Sequence, residues 1–196
     1  MHRIFPERRS FIEGLALLAL GSVAGSVFIT LLYLAHPKAA PTVAKAATQV
    51  ITTKVEVVKS AGLGMEAGIF LANVLALSII LLFPPFAYRV ERDKKFAYST
   101  VPKLMMVLIG FESIGLTSPP LLDLKLYLLF LFYLFPHGIL EFSSIALAYT
   151  IAREGGFSRS AGARALIAFL LLIPAAYIEV HISLSFALQA MQALFS

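Results

Sequence analysis

Apolar residues run almost unbroken along five stretches of this chain, and the polar and charged residues gather between them. The stretches cover about Phe11 to Leu34, Glu66 to Tyr88, Val101 to Leu116, Leu121 to Ala152 and Ala161 to Phe195. Runs of this kind are too long for the buried face of a globular helix. About 20 apolar residues in a helix span a hydrocarbon layer of roughly 30 Å. Within that layer every backbone amide needs an internal partner, which leaves helices or a closed barrel. Barrel strands alternate over about 10 residues, and these runs do not alternate. The pattern predicts an all-α fold: a polytopic bundle of about five transmembrane helices, with the whole chain, 1–196, forming one integral membrane domain.

Breakers refine the prediction. Pro84-Pro85 and the charged run RVERDKK close the second stretch, and SPP closes the third. The fourth and fifth are too long for one straight crossing and carry Pro136 and Pro174, so both are expected to be broken or kinked there. Proline suits the first turn of a helix, which makes FPHGILE a candidate start of a half-helix in mid-membrane. Residues 36–65 form the sizeable extramembrane loop. Val43, Ala47, Val50, Ile51, Val55 and Val58 approximate a helical stripe that could lie on the membrane surface, although TQVITTKVEVV also permits a strand.

Composition agrees with the pattern. Of 196 residues 59% are hydrophobic and 14% charged, against about 25% charged in soluble domains. The absence of cysteine excludes disulfides and thiolate metal sites. The net charge of +5 lies beside the apolar runs rather than on a phosphate-binding face, so nucleic acid is not an expected partner. With the N-terminus in the cytoplasm, eleven cations face inward: Arg3, Arg8, Arg9, Arg89, Arg92, Lys94, Lys95, Lys103, Arg153, Arg159 and Arg164. Five face outward: Lys38, Lys45, Lys54, Lys59 and Lys125. Cytoplasmic loops carry the excess of cations, so the expected location is the cell membrane, with the N-terminus inside and the C-terminus outside.

Small residues recur at four-residue intervals, Gly21 and Gly25 in the first span, then Gly64, Gly68 and Ala72 in the second, with Asn73 beside them. Such stripes let helix backbones approach closely. Two of them suggest that one faces a second subunit, giving a homodimer. Asn73 is placed to hydrogen-bond a neighbouring helix.

Four side chains stand out as costly in lipid: Glu112, His137, Glu141 and Glu179. A charge at the centre of a helix costs about 2.5–3.5 kcal/mol on insertion scales, so the four are expected to converge. His137 and Glu141, four apart, share one helix face. One imidazole with two carboxylates, from His137, Glu141 and Glu179, suits zinc or another divalent metal. A hydrogen-bonded network that locks the helices together, and a path for ions or protons, are the two other readings. The chain contains no HExxH, nucleophile elbow, P-loop or dinucleotide fingerprint, which lowers the expectation of enzymatic activity.

The segment Pro136-His137-Gly138-Ile139-Leu140-Glu141, with GIFLANVLA in the second span and PAAYIEVHIS in the last, resembles the stage II sporulation protein M family over roughly residues 66 to 190. The resemblance implies a membrane anchor or scaffold for a partner complex, without catalysis of its own. The competing class is a membrane transporter or metal-dependent intramembrane enzyme built on the Glu/His cluster.

Overall fold

The computed structural model describes residues 8–37, 64–115, 118, 121–122, 124–155 and 158–183. The expected surface segment at 36–65 therefore lies almost wholly outside the described residues. Five α-helices are present among them: α1 (Arg8–Ala35), α2 (Met65–Glu91), α3 (Val101–Ile109), α4 (Leu124–Glu154) and α5 (Arg159–Ile178). Three π-helical segments adjoin them, Phe96–Thr100 before α3, Gly110–Gly115 after it, and Glu179–Ser183 after α5.

Four helices, α1, α2, α4 and α5, are long and apolar enough to cross a membrane. The third predicted span differs. Its α-helical part is nine residues long and is flanked by two π-helical turns.

Local chemistry sets several ends. Arg92 closes α2 in the left-handed conformation, φ 59°, and its N–H donates to the Tyr88 carbonyl, as residues just past a helix C-terminus often do. The Asp93 carboxylate then accepts from the N–H groups of Lys95 and Phe96 at 2.8 and 3.1 Å, capping the next helical run. At α5 the Ser158 hydroxyl accepts from the Ala161 N–H at 3.1 Å.

The prolines do not divide the helices as their positions suggested. α2 runs through Pro84 and Pro85 to Glu91, α4 through Pro136 to Glu154, and α5 through Pro174 to Ile178. FPHGILE is thus helix interior rather than the start of a half-helix. Spanning helices tolerate proline because neighbouring groups and small local adjustments satisfy the carbonyls it frees. At 31 residues α4 is about 46 Å long, more than one perpendicular crossing requires.

Two interfaces hold the bundle together. On one side Leu77, Ile80 and Leu81 of α2 meet Ala148, Ile151 and Ala152 of α4 and Ala161, Ala168 and Leu172 of α5. On the other, α1 packs along α3 and the π turn that follows it. Outward faces carry Leu20, Leu75, Leu108, Phe135 and Leu166, all exposed. A soluble fold would bury so many large apolar side chains; a bilayer solvates them.

The α1–α3 interface is built from glycines. Gly21 lies against the Val107 carbonyl and the Phe111 amide, and Gly25 against Gly115, whose Cα would stand 2.7 Å from an added Cβ. In return, Gly110 lies against the Leu18 carbonyl and Gly115 against Gly25 and the Ser22 carbonyl. Gly110 and Gly115 are five apart, a spacing that an α-helix would send to different faces. The π turn, with hydrogen bonds from i to i+5, brings them onto the same one. Beyond the glycines the contact becomes polar, with Ser26 and Ser118 hydroxyls 2.8 Å apart and the Leu121 N–H donating to Thr30 at 3.0 Å. Gly21 and Gly25 are therefore consumed within the chain and are not free to face a second subunit.

Candidate functional site

The polar side chains of α4 form a ladder at four-residue intervals. Tyr133, His137 and Glu141 lie one above another, and each meets a different neighbour. The Tyr133 hydroxyl donates to Glu179 Oε1 at 2.9 Å. His137 Nδ1 and the Ser183 hydroxyl are 2.9 Å apart. Asn73 Nδ2 of α2 donates to Glu141 Oε1. The Tyr133 and His137 rings meet edge-on with centroids 5.2 Å apart, which joins the rungs on α4. Nearer the other end of the helix, the Ser144 hydroxyl donates to the Ala168 carbonyl of α5 at 2.6 Å.

Burial grades along the ladder. His137 and Ser183 are buried, whereas Asn73, Glu141 and Glu179 are half-buried. Measured along α4 from Arg153, Glu141 lies about 18 Å in, His137 about 24 Å and Tyr133 about 30 Å. These pairs answer the physical demand that made the residues conspicuous. A polar group left alone in hydrocarbon costs several kcal/mol, roughly 2 or more for an amide or hydroxyl. Here each finds a partner on another helix.

The expected convergence is therefore partial. His137, Glu141 and Glu179 are brought to one region where α2, α4 and the π segment after α5 meet. Glu112 is not. It sits on the π turn Gly110–Gly115, which packs mainly against α1, and its side chain is exposed. Nor do the three remaining residues close on a common point: His137 bonds a serine, Glu141 an asparagine and Glu179 a tyrosine. Among the described residues no group of three or more His, Asp or Glu side chains is placed to hold a metal ion. His181 points elsewhere, its Nε2 lying 2.8 Å from Glu66 Oε1 at the exposed end of α2.

Tyr133 and Ser183 take part in two of these three pairs, yet neither stands out as costly in the sequence. The Tyr133–His137–Glu141 spacing was the available signal, but tyrosine also fits a membrane-interface anchor and hides there. Asn73 behaves as its position beside a small-residue stripe implied. Gly68 of that stripe is buried, whereas Gly64 precedes α2 and is exposed.

A second polar cluster occupies the opposite end of the bundle. Glu13 of α1 pairs with Lys103 of α3 at 2.9 Å and with Arg153 of α4. Arg164, buried, makes a two-pronged pair with Glu154, one contact being 2.6 Å, and its Nε donates to the Ser160 carbonyl. In the sequence these cations mark orientation. The structure also uses them to tie α1, α3, α4 and α5 together.

Four apolar spanning-length helices with paired polar groups between them define a polytopic α-helical membrane protein. No known protein family, curated protein or solved structure matches the chain.

Proposed function

We propose that this protein is a non-catalytic membrane scaffold of the stage II sporulation protein M type, which anchors a partner complex to the cell membrane. The observation that carries the reading is the pairing of Asn73 with Glu141, Tyr133 with Glu179 and His137 with Ser183. Each pair joins different helices and uses the polar atoms for cohesion, as a rigid platform requires. The PHGILE segment supplies two of the residues involved, so the resemblance and the network concern the same place.

In this reading the run from Phe96 to Gly115 is a fifth crossing, assisted by α1. Eleven cations against five favour a cytoplasmic N-terminus and an outer C-terminus. Cysteine labelling of Ser99→Cys in intact cells checks the orientation, with protection from an impermeant reagent expected and ready labelling reversing it. The function is tested in two arms. Photo-cross-linkers placed at Arg92 and Lys94 should give one dominant protein adduct of constant stoichiometry in native membranes. Reconstituted protein should move neither protons nor divalent cations into liposomes. Flux that Glu141→Gln and Glu179→Gln abolish, or stoichiometric zinc lost in His137→Ala, replaces the scaffold with a transporter or a metal protein.

A further inference from the structure

Where α1, α3 and α4 meet at the cation-rich end, a cleft of about 580 Å³ opens between Arg9, Ser10, Glu13, Lys103 and Arg153. Its charges do not balance. Glu13 is shared by Lys103 and Arg153, and Arg9, exposed, has no carboxylate partner among the described residues. Three cations thus surround one carboxylate. Next to them is a phenol. Tyr149 is fully buried one turn along α4 from Arg153, and its ring fills the space that Gly14 leaves, where an added Cβ would stand 2.8 Å from Cδ1. The Arg153 guanidinium lies 5.7 Å from the ring centroid. The Tyr149 hydroxyl lies near both the Arg153 guanidinium and the Glu13 carboxylate, so it backs that ion pair from inside the bundle.

Each Glu13 carboxylate oxygen already faces one cation, Oε1 the Lys103 ammonium and Oε2 the Arg153 guanidinium, which leaves Arg9 unmatched among the described residues. The cleft thus presents more charged donors than its one carboxylate matches. A phosphate fits the deficit: it accepts several charge-assisted hydrogen bonds, and the planar fork of arginine suits its oxygens. The surroundings indicate where the phosphate comes from. Ile12 and Leu104, both exposed, adjoin Arg9 and Lys103 on their helices, so the cleft opens where the apolar face of the bundle begins. An acyl chain can lie along that face while its headgroup enters the cleft, and basic pockets between spanning helices are known to hold anionic headgroups in this way. We propose that the cleft between Arg9, Lys103 and Arg153 binds the phosphate of an anionic phospholipid headgroup. The proposal goes beyond the scaffold reading and needs only that the protein resides in a bilayer.

The test uses the full chain in neutral detergent, titrated with short-chain phosphatidylglycerol, short-chain phosphatidylcholine or soluble glycerol 3-phosphate, and followed by native mass spectrometry and melting temperature. Phosphatidylglycerol should bind at one site, at least tenfold tighter than phosphatidylcholine, and raise the melting temperature. Arg9→Gln and Lys103→Gln should each weaken it about fivefold, as expected from about 1 kcal/mol per cation near a membrane surface. Glu66→Gln, at the opposite end, should leave binding unchanged, and circular dichroism confirms that each variant is folded. Equal binding of the two lipids, or folded Arg9→Gln and Lys103→Gln proteins with wild-type affinity, overturns the site. Glycerol 3-phosphate binding as tightly as phosphatidylglycerol makes it a site for free phosphate esters and overturns the lipid assignment.

Discussion

The two halves of this bundle solve one problem in opposite ways. α1 and α3 approach until backbone touches backbone, with Gly21 and Gly25 set against Val107, Phe111 and Gly115. α2, α4 and α5 with its π segment pack through aliphatic side chains and are joined besides by polar ones, Asn73 to Glu141, Tyr133 to Glu179 and His137 to Ser183. Hydrophobic driving force is absent between helices in lipid, so association rests on close packing or on hydrogen bonds. The first device is intolerant of volume and indifferent to polarity. The second accepts changes of shape but not loss of a partner.

Substitutions should separate the two. The largest effect is expected at Gly21→Leu, because a Cβ there meets the Val107 carbonyl, which is backbone and cannot rotate away. Overpacking typically costs about 1–3 kcal/mol and more where the neighbours cannot move, so a loss of about 3 kcal/mol should appear in reversible unfolding by denaturing detergent. A wild-type midpoint for this variant would mean that α1 and α3 do not touch as described. Next comes the Asn73–Glu141 pair. A double-mutant cycle with Asn73→Ala and Glu141→Ala should return a coupling of about 0.6–1.7 kcal/mol, the range found between spanning helices. A coupling of zero would reduce the ladder to coincidence. Tyr133→Phe removes one hydrogen bond and keeps the ring against His137, so a loss of about 0.6 kcal/mol is expected in the same assay. The smallest effect belongs to Glu112→Gln. An exposed carboxylate outside the network should shift the midpoint by no more than about 0.5 kcal/mol; a larger loss would return Glu112 to the cluster.

How much of this was legible in the sequence depended on the kind of interaction. Four long helices follow from the length of runs that do not alternate, since such a run crosses hydrocarbon with its amides paired only as a helix. Asn73, His137, Glu141 and Glu179 announce themselves because they are costly in lipid. Glu112 carries the same cost but belongs to another face, and residue type does not say which way a helix is turned. The five-residue separation of Gly110 and Gly115 conceals their common face, because the usual four-residue periodicity assumes an unbroken α-helix. Pro136 misleads in the other direction: it removes one donor, and a helix secured by its neighbours continues past it. The cations at Arg153 and Arg164 serve both topology and cohesion, and counting them detects only the first.

The π turn at Gly110–Gly115 gives the molecule an unequal sensitivity to two kinds of genetic change. That turn holds one residue more than an α-helical turn would need, so it acts as a phase slip between α3 and the chain that follows. That turn has already absorbed its extra residue, so inserting one more codon there would rotate everything beyond it by about 100°. Ser118 would swing away from Ser26, and Leu121 from Thr30, although no contacting residue had been altered. A lineage of this protein could exchange most apolar side chains facing lipid while the length of this one turn stayed fixed, so the spacing of the glycines is the feature to look for in distant relatives.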